Sequence, residues 1–251
     1  TIPMVSATAR QYRGVRAIDL TMPLHPGTPV WPTSGPFAAH PESSLERDGF
    51  LTRRLDLSEH TGTHLDAPRH FHPTGADPAG IPVDRLVVPA VVFDIAARAE
   101  ADPDAVLLPD DIIAHEAEHG TVPSGSAALV RTGWDRWVDD PERYVRAMRF
   151  PGVSVDAGRL LVQRGVVGLG IDAPGVDPGV AGDFPLHAHV TLPAGLWHLE
   201  GLVGLHALPP VGALLVVGAL PVVGGSGAPG AGAGAAALRM ARSGPPPVRA
   251  D

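Results

Sequence analysis

The alternation of apolar and polar positions in the first half of the chain predicts short strands separated by loops. Residues 17–24 form the first predicted strand and run into a Pro- and Gly-rich loop over 25–36. Residues 53–58 alternate with a period of two, the pattern of a strand with one buried face. The β-branched run at 85–95 predicts a buried strand, and the apolar segment 126–131 predicts another.

The second half of the chain mixes helical and strand patterns. Pro109 opens a predicted helix with acidic residues in its first turn, where they suit the helix dipole. Apolar residues recur at helical spacing over 155–164, and 165–171 then predict a strand. The last strands are expected at 213–217 and around 235–240. Since no βαβ period, internal repeat or G-x-G-x-x-G motif is visible, the pattern predicts a single mixed α/β domain.

Three segments have unusual composition. Residues 201–225 carry no formal charge, but three prolines and many glycines would break a membrane-spanning helix, so we expect a strand, a turn and a strand. Residues 224–234 are rich in Gly and Ala and predict a flexible surface loop. Residues 243–251 are Pro-rich and predict a disordered tail after a single domain that spans 1–242.

Composition narrows the possible chemistry. The 251 residues include no cysteine, which excludes disulfides, thiolate nucleophiles and cysteine-bound zinc. All 19 basic residues are arginine, so the chain has no lysine for a Schiff base or for the phosphate-binding P-loop motif. The net charge of −8 argues against nucleic-acid binding, which needs a basic surface. The first residues lack a secretory signal pattern, and we expect a cytoplasmic protein with no membrane partner.

Four of the twelve histidines fall between residues 60 and 72. On an extended chain His60, His64, Asp66 and His70 would face one side, because even spacings separate them. In a helix His60 and His64 would still share a face, although the Thr, Gly and Pro residues between them disfavour that conformation. Imidazoles that converge with a carboxylate can hold Zn²⁺, Mn²⁺ or Fe²⁺ without thiolates. The cluster therefore predicts a metal site.

The segment that runs from His60 to His70 matches the pattern His-x-Gly-Thr-His-x-Asp-x-Pro-x-His. It resembles the signature of the cyclase-like metal-dependent hydrolases, a family that includes bacterial kynurenine formamidases and isatin hydrolases. Further segments along nearly the whole chain resemble this family, among them 19–32, 168–174 and 224–229. The resemblance implies a swivelling β/β/α fold, in which a barrel-like mixed sheet is flanked by helices. The signature is specific for the family and unspecific for the substrate.

The resemblance also implies roles for individual residues. His60, His64 and Asp66 would bind a first divalent ion, Zn²⁺ or Mn²⁺, and Asp66 would bridge to a second. His70 would donate and accept protons, and Trp31 would line the substrate pocket.

The ligands of the second ion depart from the family pattern at one position. Glu200 would be one ligand, and the expected histidine twelve residues before it is Ala188 in this chain. His187 and His189 flank that position. The Phe-Pro-Leu-His context favours His187 with one inserted residue, and His189 stays open.

Other polar residues have two interpretations. Asp172 and Asp177 follow a predicted strand, where functional groups are common, yet an Asp near Pro also suits an ordinary turn. His115 and His119 match the H-E-x-x-H pattern of zinc proteases, but the segment has no obvious third ligand. Its polar character favours a solvated helix face.

The predicted function is the metal-dependent hydrolysis of a C–N bond in a small amide. The family resemblance points first to an aryl formamide such as N-formylkynurenine, and the closest alternative is a cyclic amide such as isatin. A lyase or cyclase that uses the same site without net hydrolysis is another alternative, as is a metal-binding protein without catalysis. The expected partners are a small-molecule substrate and further copies of the chain, in a dimer or a tetramer.

Overall fold

The computed structural model describes residues 11–12, 15–145, 147–230 and 236–239. Its helices are α1 (Leu45–Asp48), α2 (Ala96–Ala101), α3 (Pro109–His119), α4 (Pro141–Val145), α5 (Val155–Gln163) and α6 (Pro185–His189). Its strands are β1 (Gln11–Tyr12), β2 (Val15–Asp19), β3 (Ala38–Ser43), β4 (Thr52–Asp56), β5 (His64–Asp66), β6 (Val87–Asp94), β7 (Val106–Leu107), β8 (Ala127–Arg131), β9 (Gly152–Val153), β10 (Gly168–Ile171), β11 (Trp197–Glu200), β12 (Ala213–Val216), β13 (Gly227–Pro229) and β14 (Ala236–Arg239).

Most of these strands form one mixed sheet in the order β1-β2-β14-β12-β6-β8-β10-β11-β5-β13. Its centre, β6-β8-β10-β11, is parallel, and antiparallel strands continue the sheet on both sides. Helices accompany the sheet, so the predicted α/β class with a mixed sheet is confirmed. Parallel strands are covered on both faces and consist of near-continuous apolar residues, which explains the uninterrupted burial of β10.

Side chains alternate between two hydrophobic cores on the two faces of the sheet. In β8, Ala128 and Val130 contribute to the core that includes α3 and α5, whereas Ala127 and Leu129 contribute to the opposite one. A Cβ on Gly168 would lie 2.3 Å from the Trp197 ring, so glycine is needed there for the tryptophan to pack on the sheet. The two cores therefore cover the parallel centre of the sheet on both faces.

Most of the predicted elements are present with shifted bounds. The buried strand predicted at 85–95 is β6, the helix at 155–164 is α5, and the strand at 165–171 is the shorter β10. The prediction for 53–58 was wrong about burial, because every residue of β4 is exposed. β4 pairs only with β3 in a separate two-stranded sheet, so neither of its faces packs on the main core.

Two segments with predictions from the sequence lie outside the described residues. They are the predicted tail, 243–251, and residues 231–235 of the Gly/Ala-rich segment. None of the helices in the described part of the chain combines the length and the apolar character that crossing a membrane requires.

Candidate metal centre

Two neighbouring antiparallel strands carry the centre of the site. In the pairing of β5 with β11, His64 lies opposite Glu200 and Asp66 lies opposite His198. Because side chains alternate along a strand and directly opposed residues are close, all four can point to the same face of the sheet. The four residues are buried. This register unites residues that are far apart in the sequence.

The segment around the signature is not one extended strand, so the predicted row from His60 to His70 was wrong in conformation. Gly62 has φ +65 before the strand begins, and a 3₁₀ turn follows Asp66 and carries His70. The side chains nevertheless converge. His60 Nδ1 lies 2.7 Å from Asp66 Oδ1, and the His70 ring stacks on the His60 ring at 4.2 Å between centroids.

Asp66 is the centre of the cluster. His64 Nε2 lies 3.3 Å from its Oδ1, and His187 Nε2 lies 3.2 Å from its Oδ2. Glu200 faces the same two imidazoles, at 3.6 Å from His64 Nε2 and 3.3 Å from His187 Nε2. Imidazoles therefore surround two buried carboxylates, which is an arrangement that can hold one or two divalent ions.

The structure distinguishes the two histidines on α6. His187 is buried and reaches Asp66 and Glu200, whereas His189 is exposed. Asp177 fixes this orientation, because its Oδ2 lies 2.6 Å from His187 Nδ1 and accepts a hydrogen bond from the His187 backbone N–H. Of the two interpretations of Asp177, its contact supports the functional one: it orients a residue of the cluster.

His198 is the member of the cluster that sequence reasoning missed. It is fully buried, its ring lies 4.4 Å from the His187 ring, and its Nδ1 is 3.8 Å from Asp66 Oδ2. Asp66, His187, His198 and Glu200 each offer a ligand atom, and these atoms lie within 4.8 Å of one another. The pattern His-x-Glu in a strand was the available signal, since it places His198 and Glu200 on one face.

Ser226 makes an outer contact to the cluster. Its Oγ lies 2.9 Å from His60 Nε2, and Glu59 Oε2 accepts hydrogen bonds from both the backbone N–H and the hydroxyl of Ser226. The following strand β13 pairs with β5. The prediction of a flexible surface loop was therefore wrong for Gly227–Pro229, because these residues are buried and extend the sheet beside the signature.

The electrostatics of the cluster fit a divalent cation. Burial opposes protonation of His64, but its hydrogen bond to Asp66 and the charges of Asp66 and Glu200 outweigh burial and raise the pKa of His64 to about 9. The pKa of His187 is likewise raised, because Asp177, Asp66 and Glu200 outweigh the effect of burial. The buried carboxylates therefore stabilise positive charge in the cluster. A divalent ion bound to these nitrogen and oxygen atoms would supply that charge and would displace the protons.

A cavity of about 340 Å³ opens directly on the cluster. Its walls are mainly apolar and aromatic, and include Val30, Trp31, Phe71, Phe150 and Phe184. The Trp31 ring packs 5.8 Å from Phe184 and 6.3 Å from Phe150. Trp31 therefore lies in the wall of the cavity, which is also lined by His64, Asp66, His187 and Glu200 of the cluster.

The remaining candidates lie apart from the cluster. Asp172 accepts hydrogen bonds from Thr132 and from the Gly133 N–H, so its side chain links the residues that directly follow β8 to the end of β10. Burial raises the pKa of Asp172 to about 7. His115 and His119 lie on α3 with rings 4.7 Å apart. Within the described residues they belong to no group of three potential metal ligands.

Comparisons with known proteins agree with this geometry. Residues 18–178 match the family model Cyclase, described as "Putative cyclase". The chain is 35% identical to an isatin hydrolase of Roseibium aggregatum over 236 residues, which cover 86% of this chain and 89% of that protein. It is 34% identical to a kynurenine formamidase of Salinibacter ruber over 200 residues, which cover 77% and 84% of the two chains.

Solved structures show the same relationship. The crystal structure of an isatin hydrolase bound to the product analogue thioisatinate matches with a TM-score of 0.84 and 33% identity, over 89% of this chain and 92% of that one. An isatin hydrolase A from Ralstonia solanacearum matches with a TM-score of 0.83 and 30% identity, over 90% and 92%. With the signature, the sheet and the buried cluster in agreement, this chain belongs to the cyclase family of metal-dependent hydrolases.

Proposed function

We propose that this protein hydrolyses the C–N bond of a small aromatic amide with the help of one or two divalent ions. The observation that carries the proposal is the buried His/Asp/Glu cluster beside a cavity with aromatic walls. Flat aromatic rings suit such walls, because aromatic pairs gain from edge-to-face and offset contacts. Relatives named isatin hydrolase and kynurenine formamidase support an amide as the reacting group.

The proposed ligands fall into two sets that share Asp66. His60, His64 and Asp66 would hold the first ion, and Asp66, His187 and Glu200 would hold the second. Zn²⁺ and Mn²⁺ both accept such nitrogen and oxygen ligands. A bound ion of this kind lowers the pKa of water and polarises a carbonyl group.

The residues of the chain supply the remaining functions. His70 stacks beside His60 at the edge of the cavity, where its imidazole can take a proton from the attacking water and return it to the leaving nitrogen. Asp177 orients His187, and the Val176 N–H orients Glu200 by donating to its Oε1 at 2.8 Å. Trp31 would position the aromatic part of the substrate.

Two substrates test the proposal. N-formylkynurenine represents the open aryl formamides, and isatin represents the cyclic amides that the match to isatin hydrolase structures favours. Hydrolysis of either by the Zn²⁺- or Mn²⁺-loaded protein, lost on chelation and restored by the metal, is the expected result. Absence of metal-dependent hydrolysis across aryl formamides and cyclic aryl amides would refute it. A product of unchanged mass would identify a lyase or cyclase instead.

We also propose that the protein forms a homo-oligomer, a dimer or a tetramer. The β3–β4 hairpin and α1 present Leu45, Phe50, Leu51 and Leu55 to solvent, with exposed fractions between 51% and 68%. An isolated two-stranded hairpin is only marginally stable in water, and contact with a second copy of the chain would bury these apolar side chains. Light scattering should show an assembly larger than a monomer for the wild type and a smaller average mass for Leu51→Glu.

The cytoplasmic location stays a prediction from the sequence, to be checked by cell fractionation.

A further inference from the structure

His198 is a fully buried imidazole for which neither the family signature nor the proposed reaction gives a role. It lies on β11, opposite Asp66 in β5 and two residues before Glu200. Its Nε2 lies 2.7 Å from Thr191 Oγ1. Its Nδ1 is a buried atom with no hydrogen-bond partner among the described residues.

Thr191 determines which nitrogen of His198 carries the proton. The Thr191 hydroxyl donates its single hydrogen to the backbone carbonyl of Leu186, at 2.9 Å. A carbonyl oxygen can only accept, so the same hydroxyl must accept the hydrogen bond from His198 Nε2. The proton of the neutral ring is therefore on Nε2. His198 Nδ1 then has a free lone pair.

That lone pair faces a carboxylate. His198 Nδ1 is 3.8 Å from Asp66 Oδ2, too far for a hydrogen bond, and both atoms are acceptors in this tautomer. His198 Nδ1 is thus a buried acceptor without a donor, which is costly, and a cation that contacts both this nitrogen and Asp66 Oδ2 removes that cost. The 3.8 Å separation is less than twice a zinc–ligand bond of about 2.1 Å, so one ion can contact both atoms.

We propose that His198 Nδ1 is a fourth protein ligand for the ion held by Asp66, His187 and Glu200. This inference rests on the metal centre of the proposed function. Four protein ligands are typical of closed, structural sites, whereas catalytic sites keep three and leave a position for water. An ion held at His198 would therefore be structural, whereas the set of His60, His64 and Asp66, beside His70, would leave a position for water.

Zinc titration of the metal-free protein tests the proposal without any substrate. His198→Gln keeps an N–H donor toward Thr191 and removes the Nδ1 lone pair, and His189→Gln is the matched control at an exposed position. Loss of an outer-shell partner already costs 10- to 100-fold in metal affinity, and loss of a direct ligand should cost at least about 100-fold. Calorimetry should show this loss for His198→Gln only. Wild-type stoichiometry and affinity in that variant would overturn the proposal.

Nitrogen NMR of the unmutated protein provides a second readout that does not depend on how a variant folds. With ¹⁵N-labelled histidine, His198 should show a protonated Nε2, and its Nδ1 signal should move when Zn²⁺ is added. A proton on His198 Nδ1 in the zinc-loaded protein would contradict the assignment. His198-dependent zinc binding without amide hydrolysis would refute only the proposed function. Metal-dependent hydrolysis with unchanged zinc binding in His198→Gln would refute only this inference.

Discussion

Asp177→Asn is expected to weaken metal binding although Asp177 is not a proposed ligand. In the native protein Asp177 Oδ2 contacts His187 Nδ1 at 2.6 Å and the His187 N–H at 3.1 Å, while Oδ1 accepts from the Leu186 N–H at 2.9 Å. An asparagine has only one acceptor oxygen. With the NH₂ group toward His187, both His187 donors lose their acceptor. With the oxygen toward His187, the Leu186 N–H loses its acceptor, and the hydrogen bond to His187 Nδ1 loses the negative charge of the carboxylate.

The expected loss of metal affinity follows from the energy of the hydrogen bond that Asp177 accepts from His187. A buried hydrogen bond to a charged group contributes about 1.5–3 kcal/mol. At about 1.4 kcal/mol per factor of ten, its loss corresponds to a decrease of about 10- to 140-fold in affinity. This range agrees with the 10- to 100-fold typical of a carboxylate that orients a metal-binding histidine. The affected ion is the one assigned to His187.

Calorimetric titration of the metal-free protein with Zn²⁺ measures the change in metal affinity directly. Asp183→Asn is the control, because Asp183 is exposed on the segment before α6. Urea denaturation of the metal-free proteins separates a loss of affinity from a loss of stability. Unchanged zinc affinity in Asp177→Asn, with the fold intact, would show that Asp177 does not orient a metal ligand.

Three further substitutions test other parts of the argument. His64→Ala should lose the ion assigned to His60, His64 and Asp66 and most of the activity with the fold intact, and full metal occupancy by elemental analysis would contradict its role as a ligand. His70→Ala should keep its metal while kcat falls by about 10²–10⁴, the usual contribution of a positioned acid or base; a loss of metal as large as in His64→Ala would make His70 a ligand. Asp172→Asn should lower the free energy of unfolding in urea by about 1–3 kcal/mol, because the Gly133 N–H or the Thr132 donors lose their acceptor. An unchanged free energy of unfolding would contradict this structural role of Asp172.

The sequence alone indicated a histidine-rich cluster with metal-binding groups and much of the local structure. The spacing of His60, His64, Asp66 and His70 predicted the cluster, because residue types with metal-binding groups are visible without any fold. The apolar runs that became β6 and β10 predicted buried strands, since burial in a parallel sheet requires nearly every side chain to be apolar.

Tertiary structure decided which distant residues join the cluster. Glu200 and His198 reach the signature only through the register of β11 against β5, and sequence periodicity carries no information about the partner of a strand. The sequence context favoured His187 and left His189 open, and the burial of His187 against Asp177 distinguishes the two. β4 has the alternation of a half-buried strand and is exposed because nothing in the described structure covers it. Local pattern reports which side chains can be buried or can bind, whereas long-range pairing determines which of them meet.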